Sequence, residues 1–251
     1  MRLKSKVAIV TGGGTGIGAA IARHFAAEGC AVTITGRRPE VLADVAQAIG
    51  KSGGRAIAVP GSVTSEADVR QAVSATVEAF GGIDILVNNA GNAINAGPVH
   101  EMTDAAWQET LDVFLTGVFR FSRAAIPHIL GRGGSIVNIG SVLGFKAVAG
   151  GPVPAYAVAK AGVAMLTKAI AIHYAKDRIR CNCIAPAVVD TPMTTGRMAD
   201  PATRARFEAG HPLGRLGTPT EIASAAVYFA SDEALWTTGS ILAVDGGVMA
   251  Q

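Results

Sequence analysis

The sequence predicts an α/β protein built on one doubly wound parallel sheet with helices on both faces. Short apolar runs alternate with helical stretches from one end of the 251-residue chain to the other. Strands covered on both faces read as continuous apolar runs, and these do. The composition agrees, with 49% hydrophobic and only 16% charged residues. No shift in composition and no internal repeat marks a boundary, so residues 1–251 are read as a single domain.

The first strand is expected over residues 7–10, ending at glycines, with a helix over about 17–28. A strand over 31–35 precedes a helix over 39–49, and a strand over 56–59 precedes a helix over 66–80. The fourth strand, 83–87, ends in Asn88-Asn89-Ala90-Gly91. A long helix follows over about 104–130, with Thr103 as N-cap because its hydroxyl can take an orphan amide. Strands over 135–139 and 179–185 flank a second long helix over 156–175. Residues 186–219 read as irregular and exceed a simple connection, and their Met, Arg, Phe and Leu side chains suit a substrate lid at about 187–218. A helix over 220–230 and a strand over 241–244 close the sheet.

Charge and composition exclude several classes. The net charge is +3, the basic residues are dispersed and aromatics make up 5%, which argues against nucleic-acid binding. The apolar run after the N-terminal Met-Arg-Leu-Lys-Ser-Lys is too short for a signal peptide, and no apolar stretch is read as approaching the ~18 residues of a membrane span. A soluble, cytoplasmic protein is expected. Cys30, Cys181 and Cys183 form no paired framework, the five histidines lack zinc-helix spacing, and no metal is expected.

Gly12, Gly16 and Gly18 follow the first strand and open a helix. Such a turn aims backbone amides and a positive helix end at a pyrophosphate, which makes the sheet a Rossmann-type dinucleotide binder. The second strand ends in Thr35-Gly36-Arg37-Arg38, with two guanidiniums where a carboxylate would hold a ribose diol. Arginine matches phosphate in charge and geometry, so NADP(H) is favoured over NAD(H). Downstream, Tyr156 and Lys160 lie one helical turn apart and can share a face. A phenol titrates near ~10. An ammonium beside it would draw that value toward neutrality and make an acid–base group, with Ser141 able to hydrogen-bond a substrate oxygen.

The ordered set of Gly12/Gly16/Gly18, Asn88-Asn89-Ala90-Gly91, Ser141, Tyr156-x-x-x-Lys160, the Pro186…Thr191 stretch and Val244-Asp-Gly-Gly247 resembles the short-chain dehydrogenase/reductase family across essentially the whole chain. The resemblance implies Tyr156 as general acid/base and Ser141 as the group orienting the carbonyl. It implies Lys160 as the residue lowering the tyrosine pKa and holding the nicotinamide ribose. Asn89 would support the cofactor cavity and Thr191 would contact the carboxamide. The expected cofactor site draws on Gly12, Thr15, Gly16, Ile17, Gly18, Arg37, Arg38, Ser62, Val63, Asn89, Ala90, Gly91, Pro186, Val189 and Thr191, besides Tyr156 and Lys160.

Four positions depart from the family pattern. Phe114 stands where a catalytic asparagine is usual, in Val113-Phe-Leu-Thr-Gly117, and a phenyl group cannot pass a proton to water. Ser62 replaces the acidic residue that contacts adenine, and Ala187 replaces the glycine of Pro-Gly. The Ser141-to-Tyr156 interval is two residues longer than usual, with the extra length in the turn-rich stretch 147–154.

The expected function is hydride transfer between NADP(H) and a neutral ketone or secondary alcohol. Segments 92–101, 142–155 and 187–212 should line the pocket, and the first two are mainly apolar apart from His100, Glu101 and Lys146. A 3-oxoacyl-acyl-carrier-protein reductase is the alternative, with Arg120, Arg123 and Arg132 as a docking surface. A nucleotide-binding protein with little or no catalysis is the alternative of another class. A homodimer or homotetramer is expected, built through the two long helices and the C-terminal strand region. Ala157, Ala161, Ala164 and Met165 offer a small apolar face for close packing.

Overall fold

The computed structural model describes residues 1–91, 97–147 and 153–251. In chain order its main elements are β1 (Val7–Thr11), α1 (Gly16–Ala27), β2 (Ala31–Gly36), α2 (Pro39–Lys51), β3 (Arg55–Pro60), α3 (Glu66–Phe80) and β4 (Ile85–Asn88). Then come α4 (Asp104–Leu111), α5 (Gly117–Ile129), β5 (Gly134–Ile139), α6 (Pro154–His173) and β6 (Ile179–Pro186). The chain finishes with α7 (Pro192–Met198), α8 (Pro201–Ala209), α9 (Pro219–Ala230) and β7 (Ile241–Val244). Among the described residues the seven strands are all parallel, in the order β3-β2-β1-β4-β5-β6-β7.

The doubly wound reading is therefore correct, and strand pleating explains it. On β1, Ala8 and Val10 enter one apolar cluster with Ile21, Phe25 and Phe229 from α1 and α9. Ile9 points the other way, into a cluster with Val73, Phe121 and Ile170 from α3, α5 and α6. The direction of winding reverses between β1 and β4, so the crevice lies beyond the C-terminal ends of those strands.

Three expectations need correction. The long helix over 104–130 is not continuous: Thr103 caps α4 through its hydroxyl as expected, but a π-helical turn over Asp112–Thr116 separates α4 from α5. The stretch after β6 is not irregular throughout, because α7 and α8 lie within it. And α6 is long and apolar enough, by length and composition, to cross a bilayer. Instead it packs on β6 and buries Val163, Ala164, Thr167, Ile170 and Ala171, as the core helix of this sheet.

Candidate active site

Thr11, at the end of β1, ties that strand to the end of β4. Its buried hydroxyl accepts the amides of Asn89 at 2.9 Å and Ala90 at 3.0 Å and donates to the Val87 carbonyl at 3.3 Å. The Asn89 side-chain amide donates back to the Thr11 and Gly12 carbonyls at 2.9 and 3.3 Å. Gly12 needs its freedom, with φ of +65° and space so tight that a Cβ would sit 2.8 Å from Ala90 Cα. At Gly18 a Cβ would run into the Gly12 carbonyl and the Asn89 amide. Thr15, the N-cap of α1, makes no side-chain capping bond, which leaves the first amides of the helix without that partner. Ile17 follows within the first turn of α1. Backbone amides, a helix N-terminus and glycines admitting close approach fit the pyrophosphate of a dinucleotide.

The neighbouring residues extend this cradle. Gly13 donates to the Thr35 carbonyl at 3.2 Å, which brings the end of β2 beside the loop. Arg37 and Arg38 are both exposed there, and Arg38 Nη2 reaches Thr15 Oγ1 at 3.4 Å. On the far side, the Ser62 hydroxyl bonds Thr64 Oγ1 at 2.8 Å, while its amide donates to Asp68 Oδ2 at 2.8 Å. Val63 packs so closely that a Cβ on Gly117 would meet Val63 Cγ2 at 2.8 Å. Pro186 ends β6, and Val189 forms a bridge with Gly217. Thr191 caps α7 and stands over the loop, 3.3 Å from where a Cβ on Gly16 would be.

Ser141, Tyr156 and Lys160 come together beyond β5. Ser141 is buried, and its hydroxyl accepts the Leu143 amide at 3.2 Å, capping a short 3-10 helix over Val142–Gly144. A Cβ on Gly144 would lie 2.8 Å from the Lys160 carbonyl carbon, so this turn is pressed against α6. Tyr156 is half-buried and Lys160 is 5% exposed. The Lys160 ammonium donates to the Ile139 carbonyl at 2.6 Å and lies 5.6 Å from the Tyr156 ring centroid.

The electrostatics differ from the sequence expectation. Burial raises the Tyr156 phenol above its ordinary value, and the opposing influence is a hydrogen bond from Ser141, not the lysine charge. Burial also pulls Lys160 down to about 8, with partial relief from Cys183 on β6. The phenol thus holds its proton more firmly here than an ammonium at its hydroxyl would allow.

Several contributors were not foreseen. The Ile139 carbonyl and the Thr11 hydroxyl act through geometry that no side-chain motif reports. Asn138 on β5 accepts from Asn88 at 2.8 Å and donates to Thr167 on α6 at 2.8 Å, so a buried network joins β4, β5 and α6. Phe114 is 3% exposed, stands edge-on to Tyr156 with centroids 4.9 Å apart, and has the Lys160 ammonium 5.2 Å from its ring centre. Gly91 faces the same ring, since a Cβ there would lie 2.8 Å from Phe114 Cε1. Among the pocket-lining candidates, His100 is an exposed rim residue beside Glu101, whereas Lys146 is half-buried and donates to the Val248 carbonyl at 3.0 Å. Residues 92–96, and residues 148–152 of the lengthened loop, lie outside the described residues.

A parallel sheet with a glycine cradle that fits a dinucleotide at its switch point, and a serine, tyrosine and lysine beside it, is an arrangement suited to a nicotinamide-dependent oxidoreductase. Comparison with known proteins agrees. A family model described as enoyl-(acyl carrier protein) reductase matches residues 12–249. Cis-4-hydroxycyclohexanecarboxylate dehydrogenase of Sinomonas cyclohexanicum is 44% identical over 98% of this chain and 97% of its own length. 3β-Hydroxysteroid dehydrogenase 1 of Eggerthella lenta is 43% identical over 98% of this chain and 94% of its own. Among solved structures, a candidate NAD(P)-dependent gluconate 5-dehydrogenase from Beutenbergia cavernae, with NADP bound at low occupancy, superposes with a TM-score of 0.92. The two chains cover each other completely at 36% identity. The chain belongs to the short-chain dehydrogenase/reductase family and is an NAD(P)-dependent oxidoreductase acting on CH–OH groups or the corresponding carbonyls.

Proposed function

We propose that the protein transfers hydride between NADP(H) and a neutral ketone or secondary alcohol, with Tyr156 as its acid–base group. The observation carrying this is the convergence of Ser141, Tyr156 and Lys160 beyond β5, beside a glycine cradle flanked by two exposed arginines. The nicotinamide, when bound, supplies or takes the hydride. In the reductive direction the Tyr156 hydroxyl gives its proton to the carbonyl oxygen as that oxygen becomes an alcohol, while Ser141 hydrogen-bonds the same oxygen and orients it. The raised proton affinity of Tyr156 keeps the donor loaded near neutrality, the form that reduction needs.

Arg37 and Arg38 support NADP(H), because Thr35-Gly36-Arg37-Arg38 sets no carboxylate against a 2′-phosphate. The glycine loop with Thr15 and Ile17 would hold the pyrophosphate, Ser62 and Val63 would border the adenine, and Asn89, Ala90 and Gly91 would line the centre. Pro186, Val189 and Thr191 would border the nicotinamide under a lid formed by 187–218. Phe145, Met193 and Leu213 are large apolar side chains with 41%, 53% and 70% exposure, which supports a neutral substrate. The names of the two curated relatives both describe a hydroxyl on a ring compound, so cyclic secondary alcohols head the search.

The acyl-carrier reading has less support. Arg120, Arg123 and Arg132 pair with Asp112, Glu66 and Asp84 at 3.5, 2.6 and 3.4 Å, which neutralises the expected docking surface. A homodimer or homotetramer is supported by exposed Val158, Met165 and Ile172, which recur every seventh residue along α6, and by exposed Leu235, Trp236 and Leu242 near β7.

Fluorescence titration with NADPH and NADH tests the cofactor, and a panel of cyclohexanone, 4-oxocyclohexanecarboxylate and an acetoacetyl thioester tests the substrate. Tighter NADPH binding that is lost in Arg37→Asp, with turnover of the neutral ketone, is the expected result. Equal or tighter NADH binding overturns the arginine argument, and preference for the thioester restores the acyl-carrier reading.

A further inference from the structure

Phe114 occupies a position that neither a core role nor the proposed chemistry explains by itself. It sits in the π-helical turn between α4 and α5, a local widening of the helix that is frequent at functional sites. Its ring is almost completely buried, meets Tyr156 at 88° between planes, and receives the Lys160 ammonium over its face. Among the described residues, the ammonium has the Ile139 carbonyl as its hydrogen-bond partner, at 2.6 Å, and two aromatic rings at 5.2 and 5.6 Å. A phenyl ring can attract a cation through its π face but can neither accept a conventional hydrogen bond nor hold a water for one.

We propose that Phe114 is a positioning residue for the Tyr156–Lys160 pair, sealing the ammonium against water on the side of the central helix and fixing it between two rings and the Ile139 carbonyl. The proton chemistry of the pair is then served from the cleft, where Ser141 lies, and not through α4 and α5. Its catalytic consequence rests on the reading of Tyr156 as the acid–base group, but the seal itself does not.

Three further observations agree. Gly91 cannot carry a side chain without striking the Phe114 ring, so the ring is packed from the cofactor side as well. Met193 of α7 reaches the same place, 3.5 Å from where a Cβ on Gly91 would lie. And the lysine behaves as a desolvated amine, with burial drawing it down to about 8. Among the described residues, the titratable groups facing Lys160 are Cys183 from β6, itself pushed up to about 11, and Tyr156 on its own helix. The side from the central helix contributes Phe114, and β5 contributes the Ile139 carbonyl.

The test is a lysine titration by carbon NMR on full-length protein carrying 13Cε-lysine. The chain has seven lysines, and Lys160→Arg assigns the signal of interest. Lys160 in the wild type is expected to titrate near 8. Phe114→Asn, which lets a polar group and water reach the ammonium, should move it up by about one pH unit or more. Phe114→Leu, which keeps the site dry but removes the ring, should move it down by about half a unit. Opposite signs are the signature, because a purely structural role would move both variants the same way or neither. Either of those results overturns the proposal, and should Phe114→Asn not fold, an unmoved Phe114→Leu does so alone. Kinetics then separate this from the functional reading. The pH profile of cyclohexanone reduction should shift with the titration in each folded variant, whereas undiminished turnover by Tyr156→Phe would sink the acid–base assignment and leave the seal to be judged by NMR.

Discussion

Thr11→Val removes one oxygen from the floor of the crevice while keeping side-chain volume and strand preference nearly constant. In the wild type that oxygen satisfies the amides of Asn89 and Ala90 at 2.9 and 3.0 Å. Both amides belong to half-buried residues, and the hydroxyl itself is 1% exposed. A buried donor left without an acceptor costs about 1–3 kcal/mol, and the lost donor bond to Val87 at 3.3 Å adds little. Partial rehydration from the cleft offsets some of this, so a loss of about 3 kcal/mol is expected. For a domain of this size about 1 kcal/mol corresponds to roughly 2–4 °C, which places the fall in melting temperature at about 6–12 °C. Thermal unfolding followed by circular dichroism reads it, with Thr11→Ser as the control that keeps the oxygen and should lose far less. A fall below about 2 °C in Thr11→Val would show that the hydroxyl does not fasten β1 to β4, and the account of the cradle built on it would have to be abandoned.

Two other substitutions probe the site from opposite sides. Gly18→Ala forces backbone to move at the Gly12 carbonyl, so NADPH affinity in a fluorescence titration should fall at least about tenfold with a modest stability loss of about 1–3 kcal/mol; unchanged affinity would mean the loop does not cradle the cofactor. Lys160→Met removes an amine whose folded-state pKa, about 8, lies below its ordinary 10.5, so between those values the unfolded chain binds more protons and the wild type gains stability as pH rises. The variant lacks that gain, and its stability relative to wild type should decline from pH 8 to 10.5 by roughly 3 kcal/mol at most; a pH-independent difference in denaturant unfolding would contradict the buried-amine picture.

Most of the fold was legible because this sheet is covered on both faces, and such strands write themselves as Val7-Ala-Ile-Val10 or Ile136-Val137 regardless of what surrounds them. The helices between β6 and β7 carry a different signal, at their starts. Thr191-Pro192, Asp200-Pro201 and Thr218-Pro219 each place a capping residue before a proline at the first helical position, and each begins a helix. The expectation of an irregular stretch over 186–219 overlooks the first two. The break between α4 and α5 left no such mark, since Asp112-Val-Phe-Leu-Thr116 contains neither proline nor glycine. In the site, Tyr156 and Lys160 were placed on one face by helical spacing alone. Where the ammonium points was not, because its partner is the Ile139 carbonyl, and every residue has a carbonyl.

The departures at Ser62 and Phe114 look alike in sequence and differ in physical kind. At Ser62 the surrounding loop is held by its own polar bonds: Asp68 from the first turn of α3 accepts the Ser62 amide, and the Ser62 hydroxyl pairs with Thr64. These bonds hold the loop after β3, so under the proposed cofactor site the change is confined to one contact with the adenine. At Phe114 a phenyl ring takes the place of a hydrogen-bonding side chain, and that ring meets Tyr156 and the Lys160 ammonium and lies where a Gly91 side chain would go. Loss of one adenine contact should appear as a small change in affinity that is uniform with pH. Exchange of a hydrogen-bonding group for a ring beside a buried ammonium should instead appear in how activity depends on pH. Cofactor affinity and pH profile therefore read the two departures separately.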